Sequence, residues 1–241
     1  MTSLSDAARA LDLAERYFGE IPRGPVPPPV SAGIPITAEQ SLLLQDRVEL
    51  PRLYLSWHSP AMFHAGDADL DLGADVLAHG KTSRLYKRLV YERRVAADVS
   101  AYQHSRELSG VFQVATTAAA GVSLPVLEEA ITEALHEMAA SGPTADELAR
   151  AQAQTEAQFV YRLQTVGGFG GKSDQLNAYN VFNRNPGFFD EDLARYRAVT
   201  PASKAAAMGQ WLVGQRRVAL TLVPRGQQSL ALAGATEVAV S

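Results

Sequence analysis

Six of the chain's 13 prolines fall between Pro22 and Pro35, within the stretch EIPRGPVPPPVSAGIPI. Proline lacks a backbone N–H and holds φ near one value, so a run this dense enters neither a helix interior nor a central strand. It stays extended and stiff, as a spacer does. The stretch therefore divides the chain into a terminal helix within 1–19, a linker over 20–37, a main domain over 38–226 and a flexible tail over 227–241. The first piece has room for one helix, about Ser5 to Phe18, capped by Ser5 or Asp6 and ended by Gly19. Its apolar stripe is Ala7, Leu11, Ala14 and Phe18. A lone helix cannot bury such a stripe, so it either docks on the main domain or is the end of a preceding one; the second reading is favoured.

Beyond the linker the pattern is regular. SLLLQDRV and LYLSWH read as strands, the second with Leu53, Leu55 and Trp57 on one face. A helix follows from Asp67 to Ala78, then another capped by Thr82 or Ser83 with Leu85, Tyr86, Leu89 and Val90 facing inward. AADVSAYQH and VFQVATTA are two further strands. The stretch from Ser123 to Ala140 is a clear helix, with Leu127, Ala130, Ile131, Ala134, Leu135 and Met138 at core spacing. Thr144-Ala145-Asp146-Glu147 is a capping box for the next helix. Helical segments near 171–182, 190–199 and 201–213 precede a last strand, RVALTLV. Strands joined mostly as hairpins, with the helices in long runs, predict an α+β two-layer sandwich: a largely antiparallel sheet with helices packed on one face.

Composition narrows the function. A net charge of −4 argues against a general nucleic-acid binder. No apolar run approaches the ~20 residues that cross a bilayer as a helix. With no cysteine, neither disulfides nor thiolate metal sites are available.

The motifs that suggest chemistry fail on spacing. Gly80-Lys81-Thr82 looks like the end of a phosphate loop, but Asp75 stands where that loop needs its first glycine. Gly170-Gly171-Lys172-Ser173 has Val166 there, and the intervening GGFGG reads as a helix break. Asp67, Asp69 and Asp71 resemble a calcium loop, yet its glycine and glutamate positions hold Leu72 and Ala78; acids in the first turn of a helix explain them. Among the five histidines no HExxH or HxxEH pair exists. His58 and His64 could meet with Asp67 as a third ligand, although two surface loop histidines is the simpler reading. No catalytic residue and no metal ligand is assigned. Lys81, Arg84, Lys87, Arg88, Arg93 and Arg94 form a basic side of their helix; Arg84, Lys87 and Arg88 are the candidates for a chamber or partner surface. Tyr179, Phe182, Phe188 and Phe189 are expected in core or interface packing.

LGADVLAHGKTSRLYKRLVYERRVAADVSA resembles the second-domain signature of the insulinase-type (pitrilysin, or M16) zinc metallopeptidases: a helix, a glycine, S-R-L-Y opening a second helix, then L-V-x-E-x-x-x-A running into a strand. ERYFGEIPRG, GPTADELARA, VTPASKAAAMGQWLV and VALTLVPRG agree in kind and order. The resemblance implies a zinc-free domain paired with an upstream domain that carries H-x-x-E-H and the zinc. This chain would support that domain, shape the peptide chamber and meet a second M16 half, while remaining inactive by itself. In several members the zinc-free domain of an opposing half supplies an arginine and, seven residues later, a tyrosine; Val90 and Ala97 stand at those places here. The chain thus resembles the second domain of a zinc-bearing half. The face left by the missing neighbour predicts dimerisation or limited solubility. The alternative within the same superfamily is a non-proteolytic scaffold.

Overall fold

A computed structural model describes residues 7–25, 28, 30, 36–167 and 169–239. Ser5 and Asp6, parts of the linker, Gly168 and the last two residues of the tail lie outside the described residues. The chain divides into two compact units, 1–31 and 32–241. In the first, α1 (Ala7–Phe18) buries none of its residues.

The second unit holds six strands: β1 (Gln40–Asp46), β2 (Arg52–Ser59), β3 (Ala96–Ser105), β4 (Gly110–Ala118), β5 (Val218–Pro224) and β6 (Thr236–Glu237). Its helices are α2 (Asp67–Ala78), α3 (Leu124–Ser141), α4 (Ala145–Arg162), α5 (Lys172–Asn183), α6 (Phe189–Arg197) and α7 (Pro201–Trp211). The sheet order is β3-β4-β2-β5-β1-β6. β2 pairs antiparallel with β4 and β5, as β3 does with β4, while β1 runs parallel to β5 and β6. The two-layer α+β architecture is thus present. Its first two strands, however, are not a hairpin, because β5 lies between them. The physical reason is apolarity on both faces of β5: Ala219, Thr221 and Val223 are buried on one side, while Leu220 and Leu222 are half-buried on the other. A strand of that kind belongs inside a sheet.

Alternation along β2 sets the layers. Leu53, Leu55 and Trp57 are buried under the helices, and Tyr54, Ser56 and His58 face the other way. Against the covered face pack Leu70 and Leu77 of α2, Leu127, Ile131 and Leu135 of α3, and Met208 of α7. Trp57 meets Phe112 edge-on, 6.4 Å between centroids. Two buried hydroxyls within the sheet are satisfied by neighbouring strands: Thr116 donates to the Asp98 carbonyl at 2.7 Å and Thr221 to the Leu42 carbonyl at 2.8 Å. Gly142 ends α3 at φ 68°, where a Cβ would sit 2.5 Å from the Pro201 carbonyl oxygen; only glycine lets the ends of α3 and α7 approach so closely.

Two regions differ from the sequence reading. The helix after Gly80 is largely a π-helix, Tyr86–Glu92, closed by a bond from the Arg93 N–H to the Arg88 carbonyl at 3.1 Å. Leu85 and Leu89 still point inward, fully buried. Residues 227–239, expected as a tail, contain a 3₁₀ turn at Gln228–Leu230, buried Ala231 and Leu232, and β6 against β1.

Candidate functional surface

The sheet face turned away from the helices combines two chemistries. On the β3–β4–β2 side, Tyr102, Gln113 and Ser56 lie in one register row. The Tyr102 hydroxyl donates to Gln113 Oε1, and Gln113 Nε2 donates to Ser56 Oγ at 2.8 Å. On the β5–β1 side the equivalent positions are apolar and half-buried: Tyr54 opposite Leu220, Leu220 opposite Leu42, and Leu222 opposite Leu44. Period-two alternation creates this face, and the order of strands sorts it into a polar half and an apolar half.

The basic helix is tied down. Arg84 forks onto Glu147, with Nε at 3.0 Å from Oε1 and Nη2 at 2.7 Å from Oε2, and also donates to the Gly142 carbonyl at 3.0 Å. Glu147 closes the capping box of α4 with Thr144. The Arg84 bonds hold the Glu147 carboxyl well below the usual range, at about 2, against the opposing pull of burial. Arg88 pairs with Glu137 at 2.6 Å and Arg93 with Glu133 at 3.0 Å, both on α3. Lys87 is exposed and forms no ion pair among the described residues. The three candidate residues thus share one helix, but Arg84 and Arg88 are held by carboxylates of α4 and α3.

The other candidates separate. Gly80 ends α2 at φ 75° and accepts a bond from Ser83 Oγ at 2.7 Å, so Gly80-Lys81-Thr82 is a helix-to-helix turn after a helix, without the strand a phosphate loop follows. Asp67 and Asp69 occupy the first turn of α2. Asp69 accepts from Ser203 Oγ at 2.6 Å. Asp67 is 2 % exposed and is claimed by the Phe63 N–H at 2.9 Å and Arg195 Nη2 at 2.8 Å, not by His64. Zinc requires three or four converging N, S or O ligands. Among the described residues no three His, Asp or Glu side chains converge in that way. The residues present do not fit the ion, so no hydrolytic step is assigned to them.

A buried polar network was missed by the sequence reading. Arg195 bridges Asp67 and Asp192, the latter at 2.7 Å, and Asp192 also accepts from the Tyr179 hydroxyl at 2.7 Å. Tyr196 donates to Asp71 at 2.5 Å. Burial pushes the Asp71 carboxyl up to about 7 despite that bond. Phe188 packs edge-on against both Phe63 and Tyr179, which meet each other at a tilt, whereas Phe182 is exposed. Lys204, on α7, is fully buried, and its Nζ has no hydrogen-bond partner among the described residues. Burial lowers it to about 8, with Asp75, Asp69 and Glu147 opposing. No local signal marks these groups, since Arg195 and Asp67 are 128 residues apart.

The family model described as the peptidase M16 inactive domain matches residues 4–155, more than half of the chain. The chain belongs to the peptidase M16 inactive-domain family. Similar folds recur in solved structures. A protease from Helicobacter pylori superposes with a TM-score of 0.75 at 18 % identity, covering 91 % of this chain and 53 % of that one. The peptidase M16 inactive domain from Pseudomonas fluorescens gives 0.73 at 17 %, covering 97 % and 53 %. The periplasmic protease PqqL from Escherichia coli gives 0.64 at 16 %, covering 91 % and 24 %. At such identities the likeness speaks to the fold. The chain spans about half the length of the first two proteins. No curated protein sequence matches it. In this M16 inactive domain Val90 is half-buried and Ala97 is exposed.

Proposed function

We propose that this M16 inactive domain forms a non-catalytic wall of the peptide chamber of a zinc metalloendopeptidase, supporting a zinc-bearing domain outside this sequence and meeting a second M16 half. The observation that carries the reading is the open sheet face. Its polar row, Tyr102–Gln113–Ser56, offers hydrogen-bond partners to peptide amides, and its apolar half offers contact to side chains. On this reading zinc is held by the neighbouring domain, where it would activate the attacking water. This chain's own residues bind and orient the peptide and exclude solvent. Lys87 and Arg88 lie on a surface offered to acidic peptide segments or to a partner. Arg84 acts behind them by fixing the helix to α4 through Glu147.

Mixing experiments test the proposal. The purified chain alone is expected to cleave no peptide. Combined with a zinc-bearing M16 domain from the same protein and its partner half, it is expected to restore chelator-sensitive cleavage. Cleavage by the chain alone that a chelator abolishes refutes the reading. A stable assembly without cleavage favours the scaffold alternative.

A further inference from the structure

At one end of the open sheet face lies a cavity of about 470 Å³, within the size range of small-ligand sites. Its walls include Ile36, His58, Gln210, Trp211, Gln215 and Arg216. Register explains how they meet. Ser56 pairs with Val218 in an antiparallel ladder, so two residues further on His58 stands level with Arg216. Alternation turns the neighbouring Arg217 the other way, onto Glu39, Glu128 and the face of Trp57. Arg216 is therefore left on the side of His58. Trp211 closes the wall because Gly66 has no side chain: a Cβ there would stand 3.2 Å from the indole Nε1.

The chemistry of the lining is one-sided. Arginine, imidazole, indole and both amides can each donate a hydrogen bond, and no acidic residue lines the cavity. Arg217 has two carboxylate partners, whereas Arg216 forms no ion pair among the described residues. In a chain of net charge −4, an unpaired guanidinium at a donor-rich cavity is a place for an anion. Ile36 and Trp211 add an apolar wall beside it. We infer that this cavity is a subsite for a peptide carboxylate, with Arg216 as the charged anchor, His58 and the Gln215 amide as further donors, and Trp211 and Ile36 receiving the adjoining apolar side chain. The choice of a peptide rests on the chamber-wall reading; the preference for a carboxylate rests on the cavity.

The test uses the full chain and three labelled hexapeptides of one sequence, followed by fluorescence anisotropy at low salt. One ends in leucine with a free carboxylate, one in leucine amide, and one in glutamate amide. The free acid is expected to bind at least about tenfold more tightly than the leucine amide, as loss of a charge-assisted pair implies. Arg216→Gln is expected to erase that difference, and Arg150→Gln, at an exposed position of α4 outside the cavity lining, to preserve it. Circular dichroism on each variant confirms folding. If the glutamate amide binds like the free acid, the subsite accepts a carboxylate from either a chain terminus or a side chain; if it binds like the leucine amide, the ligand is a chain terminus. Equal binding of acid and leucine amide overturns the subsite while leaving the chamber wall standing. A preference that survives Arg216→Gln, displacement by inorganic phosphate at the concentration of the free peptide, or no peptide binding at all also overturns it. The wall reading is judged separately, by the mixing experiment.

Discussion

Replacing Lys204 by methionine should make this protein more stable at neutral pH. Lys204 is fully buried on α7, with no partner for its Nζ and no carboxylate within ion-pair reach among the described residues. Its folded pKa is about 8, against 10.5 for an ordinary lysine. Between those values the folded state binds fewer protons than the unfolded state, so stability rises with pH across that window and the full cost is felt below pH 8. A gap of that size corresponds to roughly 3 kcal/mol. Methionine keeps a long flexible chain without the charge, and imperfect repacking costs under about 1.5 kcal/mol. The net gain at pH 7 is therefore about 2 kcal/mol, or some 4–8 °C in Tm for a domain of this size. Urea unfolding of both proteins at pH 6.5, 8 and 9.5 measures it. Wild type should close the gap above pH 8, at up to about 1.4 kcal/mol per pH unit. A variant less stable than wild type at every pH would refute the reasoning, because the ammonium would then be satisfied rather than stranded.

Further consequences follow from the same electrostatics. Arg84→Met strips Glu147 of its main partner and should cost about 2–3 kcal/mol in denaturant unfolding. Because the folded Glu147 pKa is depressed to about 2, its contribution is present above pH 4.5 and fades as pH falls toward 2; acid titration of unfolding should show wild type and variant converging there. Asp71→Asn keeps an acceptor for Tyr196 and removes a carboxyl raised from 3.8 to about 7. The folded state holds that proton longer, so wild type loses stability as pH rises through this range. The variant should match wild type near pH 3.5 and exceed it by about 4 kcal/mol at pH 8.

Much of the fold could be read from local pattern. Asp67–Ala78 was bounded by its first-turn acids and its terminal glycine, and the Thr144–Glu147 capping box formed as written. β2 buried the face its alternation indicated. The candidate surface was less readable. Arg84 and Arg88 stood out as a basic helix face, yet their partners Glu147 and Glu137 lie 63 and 49 residues away. The unpaired Arg216 looked no different in sequence from its doubly paired neighbour Arg217.

By itself the sequence determined which segments up to Pro224 would be helix, strand or punctuation, because caps, prolines and hydrophobic period act over a few residues. It also carried the family, through a series of weak motifs in one order. Tertiary structure alone decided that β5 would separate β1 from β2, that a π-helix would replace a regular α-helix, and that Lys204 would be sealed without a partner among the described residues. Those outcomes depend on which distant surfaces compete for burial. Short-range propensity contains no record of that competition, since the free energy of each contact belongs to two segments at once.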